Sequence, residues 1–348
     1  MQKFKIGLCS YGMSGSIFHA PFIHLHEGFD LVGACERSNK KIQQKYNCTK
    51  SYSSIEDLLS SDADVIVVNT PNQLHYEHTK LALLAEKHVI VEKPFTVTSK
   101  EAEALKYLSN QQQKEIFIFH NRRWDSDFKT IFNVLQSNLL GEIIDVEINF
   151  ERFKKELNTK IFKENGNLGS GLLYDLGPHL IDQALCLFGY PTSLFATLKV
   201  QRKNSIVDDF FRIILFYNTG LQVVLKSSLL AKAAGDGYII HGTNGSFRKP
   251  RGDVQEQLLQ TNKKPNFTNW ATENKSTFGT IFYEKNGKSF AKKVKSEYGN
   301  YYDFYDDVFN VLSHKKQPFV TVDDGINTLK IIEAAIKSNQ TKSVINLI

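Results

Sequence analysis

Apolar and polar positions are patterned in two different ways along this chain. Up to about residue 121, short apolar runs at 4–9, 29–35, 65–69, 89–92 and 116–119 alternate with longer amphipathic stretches such as 75–86 and 99–113. Runs that are apolar on both faces predict strands of a parallel sheet, and the stretches between them predict the helices that cover it. Beyond Trp124 a helical stretch at 127–136 leads into aromatic-rich, alternating segments at 143–153, 194–200, 210–217 and 221–229. These predict antiparallel strands with one covered face. Helices are expected at 172–188, 301–312 and 323–337, and the Asn-, Lys-, Gln- and Thr-rich stretch 248–273 reads as loop with one short helix. The expected fold class is α/β: a doubly wound parallel-sheet domain over 1–122, then an α+β domain with a large, mainly antiparallel open sheet over 123–348. A length of 348 residues suits two domains.

Composition narrows the partners. The net charge of +6 is divided among short patches such as Lys263-Lys264, Lys292-Lys293 and Lys315-Lys316, which suits a small anionic ligand and does not predict nucleic acid binding. Cys9, Cys35, Cys48 and Cys186 show no CxxC spacing, so neither a disulfide framework nor a zinc site is expected. The start of the chain leaves no room for a signal peptide and no apolar run reaches membrane-spanning length, so a reducing cytoplasm is expected and no membrane partner.

The first strand runs into Cys9-Ser10-Tyr11-Gly12-Met13-Ser14-Gly15, a GxGxxG-like turn in which Ser10 holds the first glycine place. Gly12 would let the backbone approach a pyrophosphate. Gly15 would let the next helix pack closely on the sheet, and that helix would point its positive end at the phosphates. This is the mark of a dinucleotide-binding Rossmann domain, although two glycines of three could also belong to an ordinary strand-turn-helix. About 20 residues on, Glu36-Arg37-Ser38 stands where a side chain reaches the adenosine ribose. Glu36 would accept from the ribose hydroxyls of NAD, whereas Arg37 and Ser38 would bind the 2′-phosphate of NADP, so the cofactor stays open between the two. Thr70-Pro71-Asn72 and Glu92-Lys93-Pro94 follow the third and fourth strands, at the sheet edge where a nicotinamide would lie. A lysine beside a proline can also be an ordinary surface residue.

Asp175 and His179 are four apart on the 172–188 helix, so a carboxylate can orient an imidazole there. Oxidising a carbinol requires its hydroxyl proton to leave, which suits histidine near neutral pH. A buried histidine satisfied within its own helix fits the same spacing. A metal site of Asp175, His179 and Asp182 would offer one nitrogen ligand only, and no metal is expected.

Residues 12–22 (GMSGSIFHAPF), 70–75 (TPNQLH), 91–95 (VEKPF), 121–128 (NRRWDSDF) and 173–183 (LYDLGPHLIDQ) together resemble the Gfo/Idh/MocA oxidoreductase family, over essentially the whole chain. The branch most similar is the NADP-dependent scyllo-inositol dehydrogenases. The resemblance implies hydride transfer between NAD(P) and a CH–OH group of a polyol or sugar, a cyclitol like scyllo-inositol being favoured. It makes Lys93 the hydrogen-bonding partner of the reacting oxygen, His179 the acid-base and Asp175 its orienting and substrate-binding neighbour. It places Gly12, Ser14, Glu36, Arg37, Thr70, Pro71, Asn72, His75, Glu92 and Asn121 against the cofactor, with Trp124 and Arg152 approaching the nicotinamide or the sugar ring. A homodimer or homotetramer paired through the open sheet is also implied. Three departures stand out: Ser10 in the turn, Glu36 where the NADP-using branch has a smaller residue, and Phe162-Lys163 where close relatives have Trp-Arg. Two rival activities fit the same fold, a non-catalytic sensor of dinucleotide or sugar and an NAD-dependent glycoside hydrolase.

Overall fold

The structure, a computed structural model, describes residues 3–36, 38, 40–47, 49–160 and 163–347. Its strands are β1 (Phe4–Leu8), β2 (Phe29–Cys35), β3 (Lys50–Tyr52), β4 (Val65–Val68), β5 (His88–Glu92), β6 (Ile116–Phe119), β7 (Ile143–Glu151), β8 (Ser193–Lys199), β9 (Phe210–Phe216), β10 (Gln222–Ser228), β11 (Tyr238–Gly242), β12 (Gly245–Lys249), β13 (Gly279–Lys285), β14 (Lys288–Val294) and β15 (Ile345–Asn346). Its α-helices are α1 (Ala20–Leu25), α2 (Lys41–Lys45), α3 (Ile55–Leu59), α4 (His75–Leu84), α5 (Ser99–Gln112), α6 (Ser126–Gln136), α7 (Leu172–Phe188), α8 (Gln255–Gln260), α9 (Tyr302–His314) and α10 (Val322–Thr341).

Two compact units result. The first comprises residues 1–124, 254–271 and 300–326, and the second comprises 125–253, 272–299 and 327–348. In the first, the strands lie in the order β3-β2-β1-β4-β5-β6 and every neighbouring pair is parallel. The winding direction reverses between β1 and β4, which opens a crevice beyond the carboxyl ends of the strands. β4 and β6 are buried throughout, so their side chains face helices on both sides. α5 begins at a capping box, Thr98 Oγ1 accepting from the Glu101 amide at 3.2 Å while the Glu101 carboxylate accepts from the Thr98 amide at 3.0 Å.

The first unit divides from the second at 124/125, and residues 254–271 and 300–326 belong to the first as well. The 300–326 segment joins it because α9 is aromatic on the face it turns to the sheet. Phe309 meets Phe4 and Phe29 edge-on at 6.2 and 5.9 Å, and Tyr305 stacks on Phe22 at 5.9 Å. A Cβ on Gly28 would come within 2.2 Å of the Phe309 ring, so a residue without a side chain admits it. Each large apolar side chain buried this way contributes roughly 1.5–3 kcal/mol.

In the second unit the strands lie in the order β14-β13-β12-β11-β7-β10-β9-β8-β15. β7 and β10 are parallel and the other pairings antiparallel. Along β9, Phe211, Ile213 and Leu215 are buried while Arg212 faces solvent. α7 packs on β7, β9 and β10. The sheet is mixed and mostly antiparallel, as the alternating segments predict. It is wider than they predict, because β11 to β15 carry short, polar or exposed sequences. No helix among the described residues is long and apolar enough to cross a membrane.

Candidate active site

The crevice of the first unit is built around the turn after β1. Ser10 supplies what the missing glycine would leave open: its Oγ accepts from the Gly12 amide at 3.2 Å and closes the turn. Its carbonyl accepts from Asn69 Nδ2 at 2.8 Å. A Cβ on Gly15 would lie 2.2 Å from the Ser10 carbonyl oxygen and 2.8 Å from Asn69 Nδ2, which is the close approach that this glycine permits. A Cβ on Gly12 would meet only Ser10 Oγ at 3.4 Å, so the space above the turn is open. Among the described residues, the buried Tyr11 hydroxyl and Asn69 Oδ1 have no hydrogen-bond partner. An open glycine cradle beside buried polar atoms fits a phosphate-bearing ligand. Gly12, Tyr11 and Asn69 would hold it, together with the amides of the π-helical turn Gly15–His19 that precedes α1.

Ser14 is turned inward, its hydroxyl donating to Glu92 Oε1. The same oxygen faces His19 Nε2 at 3.1 Å, and His19 Nδ1 lies 2.7 Å from the Tyr305 hydroxyl. His19 and Ser14 hold the Glu92 carboxyl down at about 2, against a burial penalty that acts the other way. Glu36 is also turned inward. Its carboxylate accepts from the amides of Lys41 (3.0 Å) and Ile42 (3.1 Å) and from Ser51 Oγ (2.8 Å), so it caps α2. Arg37 lies outside the described residues; Ser38 is exposed.

Thr70, Pro71 and Asn72 lead from β4 into the turn Asn72–Leu74 and on to α4. His75, at the start of α4, is buried, with Nδ1 2.7 Å from the Pro94 carbonyl and Nε2 2.9 Å from the Thr70 carbonyl. Burial pushes its pKa down. Lys93 follows β5 and is half-buried. Asn121 and Trp124 lie in a buried turn after β6. Trp124 is packed as core, its ring 5.4 Å from Phe304 and 5.7 Å from Phe319, and its carbonyl accepts from Gln255 Nε2 at 3.2 Å.

In the second unit α7 starts where Gly171 adopts a φ of 90° and Asp208 accepts from the Leu173 amide at 2.6 Å. A Cβ on Gly171 would lie 2.1 Å from Asp208 Oδ1. Burial pushes the Asp208 carboxyl up to about 6. Asp175, His179 and Gln183 recur every four residues on α7, with His179 only 4% exposed. Asp175 Oδ1 accepts from Lys163 Nζ at 2.7 Å, a partner that the sequence shows only as a departure from the Trp-Arg pair. Phe162 lies outside the described residues.

Three arginines of the second unit are placed as follows. Arg152 is exposed, its guanidinium 4.8 Å from the Phe150 ring. Arg251 lies 4.9 Å from the same ring and reaches Gln183 Oε1 at 3.2 Å. Arg202 is buried; it pairs with Asp209 at 3.2 Å and Glu164 at 3.0 Å and donates to the Glu156 carbonyl at 3.1 Å, pinning the loop that carries Lys163. Sequence reasoning missed Arg202, Arg251 and Gln183. Of these only Gln183 left a signal, the continued four-residue spacing.

Residues 4–120 match the oxidoreductase-family NAD-binding Rossmann fold of Gfo/Idh/MocA proteins, and residues 133–347 match that family's C-terminal alpha/beta domain. The chain is 32% identical over its full length to the NADP(+) scyllo-inositol 2-dehydrogenase IolW of Bacillus subtilis strain 168, covering 97% of that protein. It is 33% identical to the uncharacterized oxidoreductase YdgJ of Escherichia coli K12, over 99% of each chain. A crystal structure of a Bacteroides fragilis protein superposes with a TM-score of 0.91 at 37% identity, over 99% of this chain and 100% of that one. The chain is therefore a member of the Gfo/Idh/MocA oxidoreductase family, an enzyme with an NAD(P)-binding Rossmann domain.

Proposed function

We propose that this enzyme uses NADP to interconvert a secondary alcohol of a polyol or sugar with its ketone, a cyclitol like scyllo-inositol being the favoured substrate. The observation that carries the assignment is that the α7 helix presents Asp175 and a buried His179 one turn apart, in a chain similar over its whole length to a scyllo-inositol 2-dehydrogenase. The dinucleotide, when bound, supplies the hydride-accepting or hydride-donating ring. His179 takes the hydroxyl proton on oxidation and returns it on reduction. Lys93 Nζ hydrogen-bonds the same oxygen and stabilises the developing alkoxide. Asp175, held by Lys163, binds a neighbouring hydroxyl and orients the imidazole.

NADP is favoured over NAD because the Glu36 carboxylate, which would repel a 2′-phosphate if it faced the ribose, already accepts three hydrogen bonds within the protein. Arg37 and Ser38 are the residues proposed to take that phosphate. The same proposal includes pairing of two chains through the outer face of the second unit's sheet, where Phe282 is 44% exposed, and a cytoplasmic setting in which Cys9, Cys35 and Cys186 stay free thiols.

Titration with NADP and NAD, followed by a panel of inositols and sugars read at the reduced-nicotinamide absorbance band, tests this. Tighter binding of NADP and polyol-dependent reduction are expected. Binding of NADP with no turnover of any polyol or sugar would favour the sensor, and cofactor that survives purification and cycles without net reduction would favour the glycoside hydrolase.

A further inference from the structure

Lys93 stands between two residues that are each fastened by a buried imidazole from another element. On one side, His19, 0% exposed, brings Nε2 to within 3.1 Å of Glu92 Oε1. On the other, His75, 1% exposed, brings Nδ1 to within 2.7 Å of the Pro94 carbonyl oxygen. The opposite edge of each ring also faces a polar group: His19 Nδ1 lies 2.7 Å from the Tyr305 hydroxyl and His75 Nε2 lies 2.9 Å from the Thr70 carbonyl.

Proton inventory fixes what each ring does. An ionised carboxylate can only accept, so His19 must carry its proton on Nε2 to meet Glu92. A peptide carbonyl can only accept, so His75 needs a proton on Nδ1 to donate to Pro94; its Nε2 faces a second carbonyl and can donate there as well only when the ring carries both protons. The two rings thus fasten the chain through opposite nitrogens. The physical need is plain: a lysine ammonium sits at the end of a flexible four-carbon stem, and its reach is defined only if the backbone at its root is fixed. Displacement of a reacting group by about 1 Å can cost on the order of 100-fold in rate.

We propose that His19 and His75 are positioning residues that fix Lys93 from both sides, His19 through the Glu92 carboxylate and His75 through the Pro94 carbonyl. This rests on Lys93 acting at the reacting oxygen. His19 has a second effect, because Glu92 also accepts from Ser14 of the glycine turn. It therefore ties the Lys93 corner to the glycine turn, whereas the hydrogen bonds of His75 go to the Pro94 and Thr70 carbonyls.

The test exploits the geometry of amide side chains. Glutamine places its NH₂ where histidine has Nε2, and asparagine places its NH₂ where histidine has Nδ1. The full-length protein is compared with His19→Gln, His19→Asn, His75→Asn, His75→Gln and Lys93→Met. Turnover of the best polyol, dinucleotide affinity by fluorescence titration without polyol, and thermal midpoint are measured for each.

Turnover is expected to fall by about 10- to 100-fold in His19→Asn and His75→Gln and to stay within about threefold in His19→Gln and His75→Asn. Dinucleotide affinity should weaken more in His19→Asn than in His19→Gln. A packing defect alone would rank Gln above Asn at both sites, and the same order at both sites overturns the proposal while leaving a Lys93→Met loss intact. Full activity in Lys93→Met instead overturns the role of Lys93 itself. If variants fail to fold, ¹⁵N NMR of the wild-type histidine rings decides: a proton on Nε2 of His19 and on Nδ1 of His75 supports the proposal, and the reverse placement at either ring contradicts it.

Discussion

The Lys93 corner and the His179 helix are anchored by different physics. The first is held by hydrogen bonds in a buried aromatic setting: His19 lies 4.6 Å from the Phe119 ring and bonds to Glu92, and His75 bonds to backbone carbonyls. The second is held by ion pairs in a loop that meets solvent, with Lys163 and Asp175 about one-third exposed (31% and 32%) and only the deeper Arg202 pairs dry. Buried hydrogen bonds between fixed groups tolerate little change, because an unpaired partner costs about 1–3 kcal/mol. A half-exposed ion pair can be exchanged at little cost in stability. The Lys93 corner is therefore built to stay the same, while the ion pair at the start of the His179 helix can be exchanged more cheaply.

The contrast can be broken at its strongest point first. Arg202→Met would leave the carboxylates of Asp209 and Glu164 buried without their cation and is expected to destabilise the protein by about 3–5 kcal/mol in urea denaturation. A loss below about 1 kcal/mol would show that the loop is not held by this arginine. Gly15→Ala forces a methyl into the Ser10 carbonyl. A loss of about 1–3 kcal/mol is expected, with weaker dinucleotide binding and little change in the KM of the polyol. Unchanged cofactor affinity would mean that the turn has room which the geometry denies.

Lys163→Met should cost less than about 1 kcal/mol in stability. It should nevertheless raise the KM for the polyol, because Asp175 loses the cation that aims it. An unchanged KM would remove Lys163 from the substrate side.

In pH dependence the two units differ in sign. Glu92 is depressed to about 2 from the usual 4.5, so its contribution to stability is complete above pH 4.5 and is lost as pH falls toward 2. Asp208 is raised to about 6 from the usual 3.8, so stability falls as pH rises from about 4 to 6. Asp208→Asn should flatten that second range and leave the acid limb unchanged; a wild-type slope that persists in the variant would rule out Asp208 as its source.

What could be read from the sequence follows the same division. β4 (Val65–Val68) and β6 (Ile116–Phe119) are legible because strands buried on both faces must be apolar throughout. β3 (Lys50–Tyr52) is not, because a three-residue edge strand needs no such pattern. β14 (Lys288–Val294) is almost wholly exposed and so carries no alternation. Lys93, Asp175 and His179 stand out by chemistry and spacing, but their supports do not. His75 bonds to carbonyls that every residue has, Arg202 sits in a stretch that reads as polar loop, and Tyr305 reaches His19 from 286 positions away. Glu36 is the instructive case. Its position suggests a ribose ligand, and only the coordinates show its oxygens facing the start of α2.

The most direct test follows deuterium from a C-deuterated polyol to the nicotinamide in wild type, Lys93→Met and His179→Asn, with dinucleotide affinity measured beside it. Label transfer in the wild type, a fall of about 100-fold or more in both variants and unchanged cofactor affinity are expected. Transfer at the wild-type rate in either variant, or loss of cofactor binding as the whole cause of the fall, would contradict the assignment.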